Sequence, residues 1–118
     1  MSNSERHKFP RTLRLKGEET FAAVYDARQR QTRGPLTVYS RKNDLPHSRM
    51  GISISRRVGT APKRNRIKRL LRESFRLTQR DLPKGFDWIF VVRPHDPMQL
   101  IEYQQLLREL TTRKKKED

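Results

Sequence analysis

The sequence predicts a single small α+β domain, a sandwich of a small mixed β-sheet with helices in the order α-β-β-α-β-α. Three observations favour this fold class. The 118 residues are enough for one hydrophobic core and not for two. Apolar residues recur at helical spacing in three segments, and three other segments are rich in β-branched and aromatic residues. We divide the chain into a basic N-terminal arm (residues 1–16), one domain (17–112) and a charged C-terminal tail (113–118).

The N-terminal part is predicted to be a loosely held arm, a helix and a loop. Three apolar residues are expected to pin the arm: Phe9, Leu13 and Leu15. Gly17 precedes two glutamates and suits a helix start, since carboxylates favour the positive end of the helix dipole. The helix then carries a one-sided stripe formed by Phe21, Val24 and Tyr25. Because residues 29–35 include a Gly-Pro pair, we predict a loop there.

Two alternating, β-rich segments follow, at residues 36–40 and 50–55. Turn-forming residues lie between them at 43–46, so we predict that the two strands form a hairpin. In the second strand, Ser53 and Ser55 point to the same side. A strand face made of small polar residues is either exposed to solvent or the floor of a groove.

The second half of the domain is predicted to be helix, strand and helix. Thr60 is a suitable N-cap, with Pro62 in the first turn, for a helix that ends near Leu77. Trp88–Val92 reads as a buried strand, and Asp96-Pro97 is expected to cap the last helix. The apolar side of that helix is formed by Leu100, Tyr103, Leu107 and Leu110.

Positive charge is concentrated on the predicted second helix. The chain carries 28 Lys and Arg against 13 Asp and Glu, a net charge of +15. Residues 56–76 hold nine basic residues and one acid, Glu73, which we interpret as an i, i+4 partner of Arg69. Side chains that only kept a helix face soluble would mix both signs. We therefore favour a phosphate-binding face, for which the guanidinium group is well suited.

Composition argues against several other classes of protein. The chain has no Cys, which excludes a disulfide framework, a zinc ribbon and thiol chemistry. Its acids are scattered, and its three His residues match no metal-ligand spacing, so we expect no catalytic residue and no metal site in the protein. No apolar run could span a bilayer, and none follows the basic N-terminus as a signal peptide requires. We expect a soluble cytoplasmic protein with a polyanionic partner, no membrane partner and no small-molecule substrate.

Three aromatic residues could stack on bases beside the strand face of small polar residues: Phe21, Tyr25 and Tyr39. For any single one of them, an ordinary core position is the better interpretation. By alternation, Tyr39 shares a face with Thr37 and, across the predicted hairpin, with the two serines. An aromatic and hydroxyl-bearing sheet face beside a basic helix suits single-stranded nucleic acid. Bases could stack on the rings while Arg56 and Arg57 hold the backbone.

The segment from Ile52 to Arg76 closely resembles the signature of the bacterial ribonuclease P protein subunit. Its centre, Lys63-Arg64-Asn65-Arg66-Ile67-Lys68-Arg69, is similar to the Arg-Asn-Arg helix of that family. The resemblance extends over about residues 10–110 and covers the basic arm, the aromatic residues and the apolar strand. It implies a left-handed βαβ crossover around the basic helix, although the general rule favours right-handed connections.

The resemblance also implies a function. In this family a catalytic RNA, using Mg²⁺, removes the 5′ leader of precursor tRNA, and the small protein is an accessory component of this endoribonuclease. The domain of residues 17–112 is then an RNA-binding domain. The residues implied to bind the catalytic RNA subunit are Arg64, Asn65, Arg66, Lys68, Arg69 and Arg72. Those implied to form the leader-binding cleft are Phe21, Tyr25, Tyr39, Ser53, Ser55, Arg56 and Arg57.

Two other functions remain open at this point. A ribosomal or ribosome-assembly RNA-binding protein would share the small size and the high positive charge. A protein-only endonuclease would cut RNA with Mg²⁺ in the absence of any RNA subunit.

Overall fold

A computed structural model describes residues 9–112. It confirms the α+β class and contains one strand more than expected, in the order α-β-β-β-α-β-α. The elements are α1 (Glu18–Asp26), β1 (Gln29–Arg33), β2 (Leu36–Lys42), β3 (Arg49–Ile54), α2 (Ala61–Thr78), β4 (Phe86–Val92) and α3 (Leu100–Thr112). Short 3₁₀ turns lie at Arg11–Leu13, Arg56–Val58 and Gln79–Asp81.

The prediction of a loop over residues 29–35 is wrong, because most of this segment is strand β1. β1 pairs antiparallel with β2, and the tight turn between them contains Gly34 in the left-handed region at φ 57°. The strand reads Gln-Arg-Gln-Thr-Arg and is almost entirely exposed. A polar edge strand has no apolar alternation, so sequence periodicity could not reveal it.

The predicted hairpin of the two following strands is also wrong. The sheet order is β1-β2-β4-β3, so β4 lies between β2 and β3, antiparallel to the first and parallel to the second. β4 is apolar on both faces, which suits a central strand. The helix α2 therefore connects two adjacent parallel strands as a βαβ unit, and the left hand of this crossover remains a prediction.

The two later helices begin at different kinds of cap. Thr60 caps α2 as predicted, since its side-chain oxygen accepts from the Lys63 backbone N–H at 3.5 Å. The expectation that Asp96-Pro97 caps the last helix is wrong, because α3 begins at Leu100. There the Glu102 carboxylate accepts a hydrogen bond from the Gln99 N–H at 2.9 Å.

The sheet separates a large core from a small one. Alternation along β2 directs Leu36 and Val38 towards α2 and α3, and Tyr39 towards α1. The large core includes Ile67, Leu71, Phe75, Trp88, Phe90, Tyr103, Leu107 and Leu110. The small core, under α1, is formed by Leu15, Val24 and Ile89, with partly exposed side chains around it.

The described part of the N-terminal arm is packed on the domain. The three predicted pins, Phe9, Leu13 and Leu15, are buried. The Leu15 N–H donates to the Met50 carbonyl at 2.9 Å, so the chain covers the outer edge of β3. Residues 1–8 of the arm and the tail at 113–118 lie outside the described residues.

Candidate nucleic-acid interface

The sheet face under α1 carries two rows of side chains that cross the strands. In the first row Gly51 of β3 lies opposite Ile89 of β4, which lies opposite Tyr39 of β2. In the second row Ser53, Val91 and Thr37 are matched in the same way. Tyr39, Thr37 and Ser53 therefore share one face, as predicted, but β4 joins them where a direct hairpin was expected.

Aromatic rings from α1 and β2 form one side of this face. The rings of Tyr25 and Tyr39 meet edge to face, with centroids 4.7 Å apart. Phe21 lies directly over Gly51, because a Cβ atom on that glycine would be only 2.5 Å from the Phe21 Cζ atom. All three aromatic side chains are half-buried. They pack on the small core and remain accessible. We call the surface that they form with Thr37 and Ser53 the aromatic groove (Phe21, Tyr25, Tyr39, Thr37 and Ser53), after the groove predicted there from the sequence.

The remaining predicted groove residues lie just beyond β3. Ser55 has extended backbone, two residues after Ser53, so alternation directs its side chain to the groove side. Arg56 and Arg57 follow in a 3₁₀ turn that is anchored by the buried Val58. All three predicted residues are exposed. The structure therefore places them at the end of strand β3 and not over the centre of the sheet.

The basic face of α2 is assembled as the helical period predicts. Asn65, Arg66 and Arg69 are exposed, while Arg64, Lys68 and Arg72 are half-buried. The Arg64 guanidinium donates to the Gly59 carbonyl at 3.3 Å. Burial, together with the nearby positive charge of Arg14, lowers the pKa of Arg72. The arm thus adds a cation to this face.

The acidic residue of the helix has a different partner from the one expected. Glu73 accepts two hydrogen bonds from Arg76, at 3.1 and 2.6 Å, whereas the sequence interpretation paired it with Arg69. Ion pairs form on helices at both the i, i+3 and the i, i+4 spacing. The i, i+3 spacing of Glu73 and Arg76 permits a bidentate contact. The carboxylate therefore lies towards the C-terminal end of α2, away from its most basic turns.

An open pocket of about 550 Å³ lies at the N-terminal half of α2 and is lined by Pro62, Lys63, Arg66, Arg69 and Pro97. Asp96, the residue before Pro97, pairs with Lys63 at 3.0 Å. The hydrogen bond from Lys63 lowers the pKa of Asp96. This ion pair joins the connection before α3 to the basic helix. Sequence reasoning missed it, because residues 33 apart in the chain carry no local pairing signal.

A buried ion pair holds the other end of the sheet. Asp87 is 1% exposed and accepts two hydrogen bonds from Arg49, at 2.7 and 2.9 Å, and one from Asn43 at 2.8 Å. The hydrogen bonds between Arg49 and Asp87 raise the pKa of Arg49. Within residues 9–112, no group of three or more His, Asp or Glu side chains is arranged to hold a metal ion. No helix in the same range is long and apolar enough to cross a membrane.

Comparison with known proteins identifies the family. The family model for ribonuclease P matches residues 9–116. The ribonuclease P protein component of Photorhabdus laumondii is 45% identical over 86 residues, which are 72% of this chain and 71% of the relative. The structure is similar to the RNase P protein from Thermotoga maritima, with a TM-score of 0.77, 30% identity, and coverage of 85% of this chain and 96% of the other.

The RNase P protein of Staphylococcus aureus is similar to the same extent, with a TM-score of 0.75 and 30% identity over 87% of this chain and 95% of the other. The fold and these relatives agree with the resemblance found in the sequence. The chain belongs to the bacterial ribonuclease P protein family and is the protein component of that tRNA-processing ribonucleoprotein.

Proposed function

We propose that the basic face of α2 binds the catalytic RNA subunit and that the aromatic groove binds the single-stranded 5′ leader of precursor tRNA. One observation carries the leader assignment. The sheet and α1 bring accessible rings and hydroxyl groups from three separate elements, α1, β2 and β3, onto one face. Bases of any sequence can stack on aromatic rings, which suits a leader that differs from one precursor to another.

The α2 assignment is supported by charge and side-chain type. The polar surface side chains of its first three turns are arginine, lysine and asparagine, and its single acid lies further along and pairs with Arg76. Arginine binds phosphate with two parallel hydrogen bonds and also stacks on bases. A folded RNA presents phosphates and bases at close quarters, so it matches this face.

In this proposal, the RNA subunit carries out the reaction and binds the Mg²⁺ that the reaction uses. The protein contributes fixed positive charge to an encounter between two polyanions, and this charge replaces part of the ion atmosphere. The requirement for Mg²⁺ should therefore fall when the protein is present. In this proposal the protein acts in the cytoplasm.

Five acidic side chains support this division of labour. Asp87 is committed to Arg49, and Asp96 is committed to Lys63. Further ion pairs join Glu73 to Arg76, Asp81 to Arg108 and Glu109 to Arg33. These carboxylates therefore have structural partners, whereas metal-dependent cleavage needs carboxylates that converge on one ion.

Substitution of Tyr39 tests the groove assignment. We expect Tyr39→Ala to weaken binding of precursor tRNA to the assembled holoenzyme by about 1–3 kcal/mol, the free energy of one base stacked on an aromatic ring. Binding of mature tRNA, which has no leader, should be unchanged. The matched control is Tyr39→Phe, which keeps the stacking surface and should retain most of the affinity. Equal losses for precursor and mature tRNA would contradict the assignment.

A further inference from the structure

The edge strand β1 extends the groove face beyond strand β2. Arg30 lies opposite Tyr39 in the antiparallel register. Thr32 lies opposite Thr37 in the same register. Because side chains alternate along a strand, Arg30 and Thr32 belong to the groove face, whereas Arg33 belongs to the helix face. The two rows of the groove therefore continue across a fourth strand.

Two contacts join β1 to the aromatic groove. The Arg30 Nη1 group donates to the Tyr39 hydroxyl at 3.3 Å. The hydroxyl oxygens of Thr32 and Thr37 are 2.8 Å apart. A guanidinium group has five N–H donors, and this bond to Tyr39 uses one of them. The remaining donors lie beside the ring on which a base would stack.

A basic residue on an edge strand can have a simpler role, since charge there discourages edge-to-edge aggregation. Arg30 and Arg33 would serve that role equally well. Their surroundings differ, however. Arg33 pairs with Glu109 of α3 on the helix face, so its charge is compensated. Arg30 contacts a neutral hydroxyl and is exposed, so its charge is available to an anion on the groove face.

The proposal rests on the function proposed above and extends it. We propose that Arg30 binds a phosphate of the 5′ leader at the β1 end of the groove, next to the hydroxyl pair of Thr32 and Thr37. The leader then crosses the strands from Ser53 on β3 to Thr32 on β1. This path spans three inter-strand spacings, about 14 Å in all. It accommodates about four stacked nucleotides at about 3.4 Å each.

The test compares Arg30→Ala with Arg33→Ala, which removes the same charge from the same strand on the opposite face. Holoenzyme is reconstituted with each variant, and binding of precursor and mature tRNA is titrated over a range of salt concentrations. We expect Arg30→Ala to weaken precursor binding about tenfold, the value of one charge-assisted hydrogen bond, without affecting mature tRNA. The slope of log affinity against log salt should become shallower by about 0.7, the contribution of one phosphate on a single strand. Arg33→Ala should change neither quantity.

A third variant, Tyr39→Phe, separates direct contact from positioning. If Arg30 only oriented the Tyr39 ring, removal of the hydroxyl would reproduce the whole effect of Arg30→Ala. We expect a smaller loss and no change in the salt slope. Equal effects of Arg30→Ala and Arg33→Ala, no effect of Arg30→Ala, or a full effect of Tyr39→Phe would each overturn the proposal. If wild-type holoenzyme itself bound precursor and mature tRNA equally, the proposed function would have failed before this extension of it.

Discussion

Gly51 sets how closely Phe21 approaches the sheet, and its replacement by alanine tests that geometry. The backbone at Gly51 does not have the positive φ that alanine avoids, so the conformation itself permits a side chain. The side chain would instead collide with the ring of Phe21. An added Cβ would lie 2.5, 3.2 and 3.3 Å from three atoms of the Phe21 ring, whereas carbon atoms pack at about 3.5–4.0 Å. The ring must therefore move outward by about 1 Å, into the groove.

Two opposing contributions determine how Gly51→Ala changes the free energy of unfolding. Overpacking of a close-fitting site costs about 1–3 kcal/mol. Replacement of a strand glycine by alanine stabilises the folded protein by about 0.5–1 kcal/mol, because it reduces the conformational entropy of the unfolded chain. We expect Gly51→Ala to lower the free energy of unfolding by about 1 kcal/mol. Displacement of the ring should also weaken precursor binding while leaving mature tRNA binding unchanged.

A double-mutant cycle measures the contact directly. Urea unfolding can be followed by the fluorescence of Trp88, the single tryptophan of the chain, which is buried in the large core. In a Phe21→Ala background the new methyl group has room, so Gly51→Ala should be neutral or stabilising by about 0.5 kcal/mol. The same destabilisation with and without the Phe21 ring would refute the reasoning, because the cost would then have another origin.

Three further predictions concern the charged groups. Asp87→Asn should lower the free energy of unfolding, measured by urea titration, by about 2–3 kcal/mol, because it leaves the half-buried Arg49 without its ionic partner. A loss smaller than the error of the titration would show that the Arg49–Asp87 pair does not stabilise the fold. Asp96→Asn removes the carboxylate that pairs with Lys63, so RNA-subunit affinity should rise at low salt and the gain should disappear at high salt; a gain independent of salt would contradict an electrostatic cause. Arg66→Glu should weaken RNA-subunit binding about tenfold or more in a filter-binding titration, whereas unchanged affinity would remove α2 from that interface.

Local signals allowed the sequence to predict helix α2 well. The N-cap, the early proline and the apolar period all lie within the helix itself, and the observed helix starts at Ala61 after Thr60. The shared face of Tyr39 and Ser53 was also predicted, although the predicted strand pairing was wrong. Alternation along a strand depends only on its own backbone, so it does not depend on which strand lies alongside.

Features that depend on distant parts of the chain were not predictable in this way. The insertion of β4 between β2 and β3 follows from burial of its two apolar faces, which the pattern of either neighbour does not reveal. The strand β1 is formed by its pairing with β2, because its own residues are polar. Arg30 was consequently assigned to a loop, and its position on the groove face became apparent only from the register.

Cleavage of a precursor tRNA at low Mg²⁺ tests the central claim most directly, with protein alone, RNA subunit alone and the two together. The account predicts no cleavage by the protein alone, little by the RNA alone, and efficient removal of the leader by the mixture, because the fixed cations of the protein replace part of the ion atmosphere. Cleavage by the protein alone would contradict the account and assign the chemistry to this chain. A mixture no more active than the RNA subunit would contradict it as well, and tight binding to ribosomal RNA in that case would favour a ribosomal role.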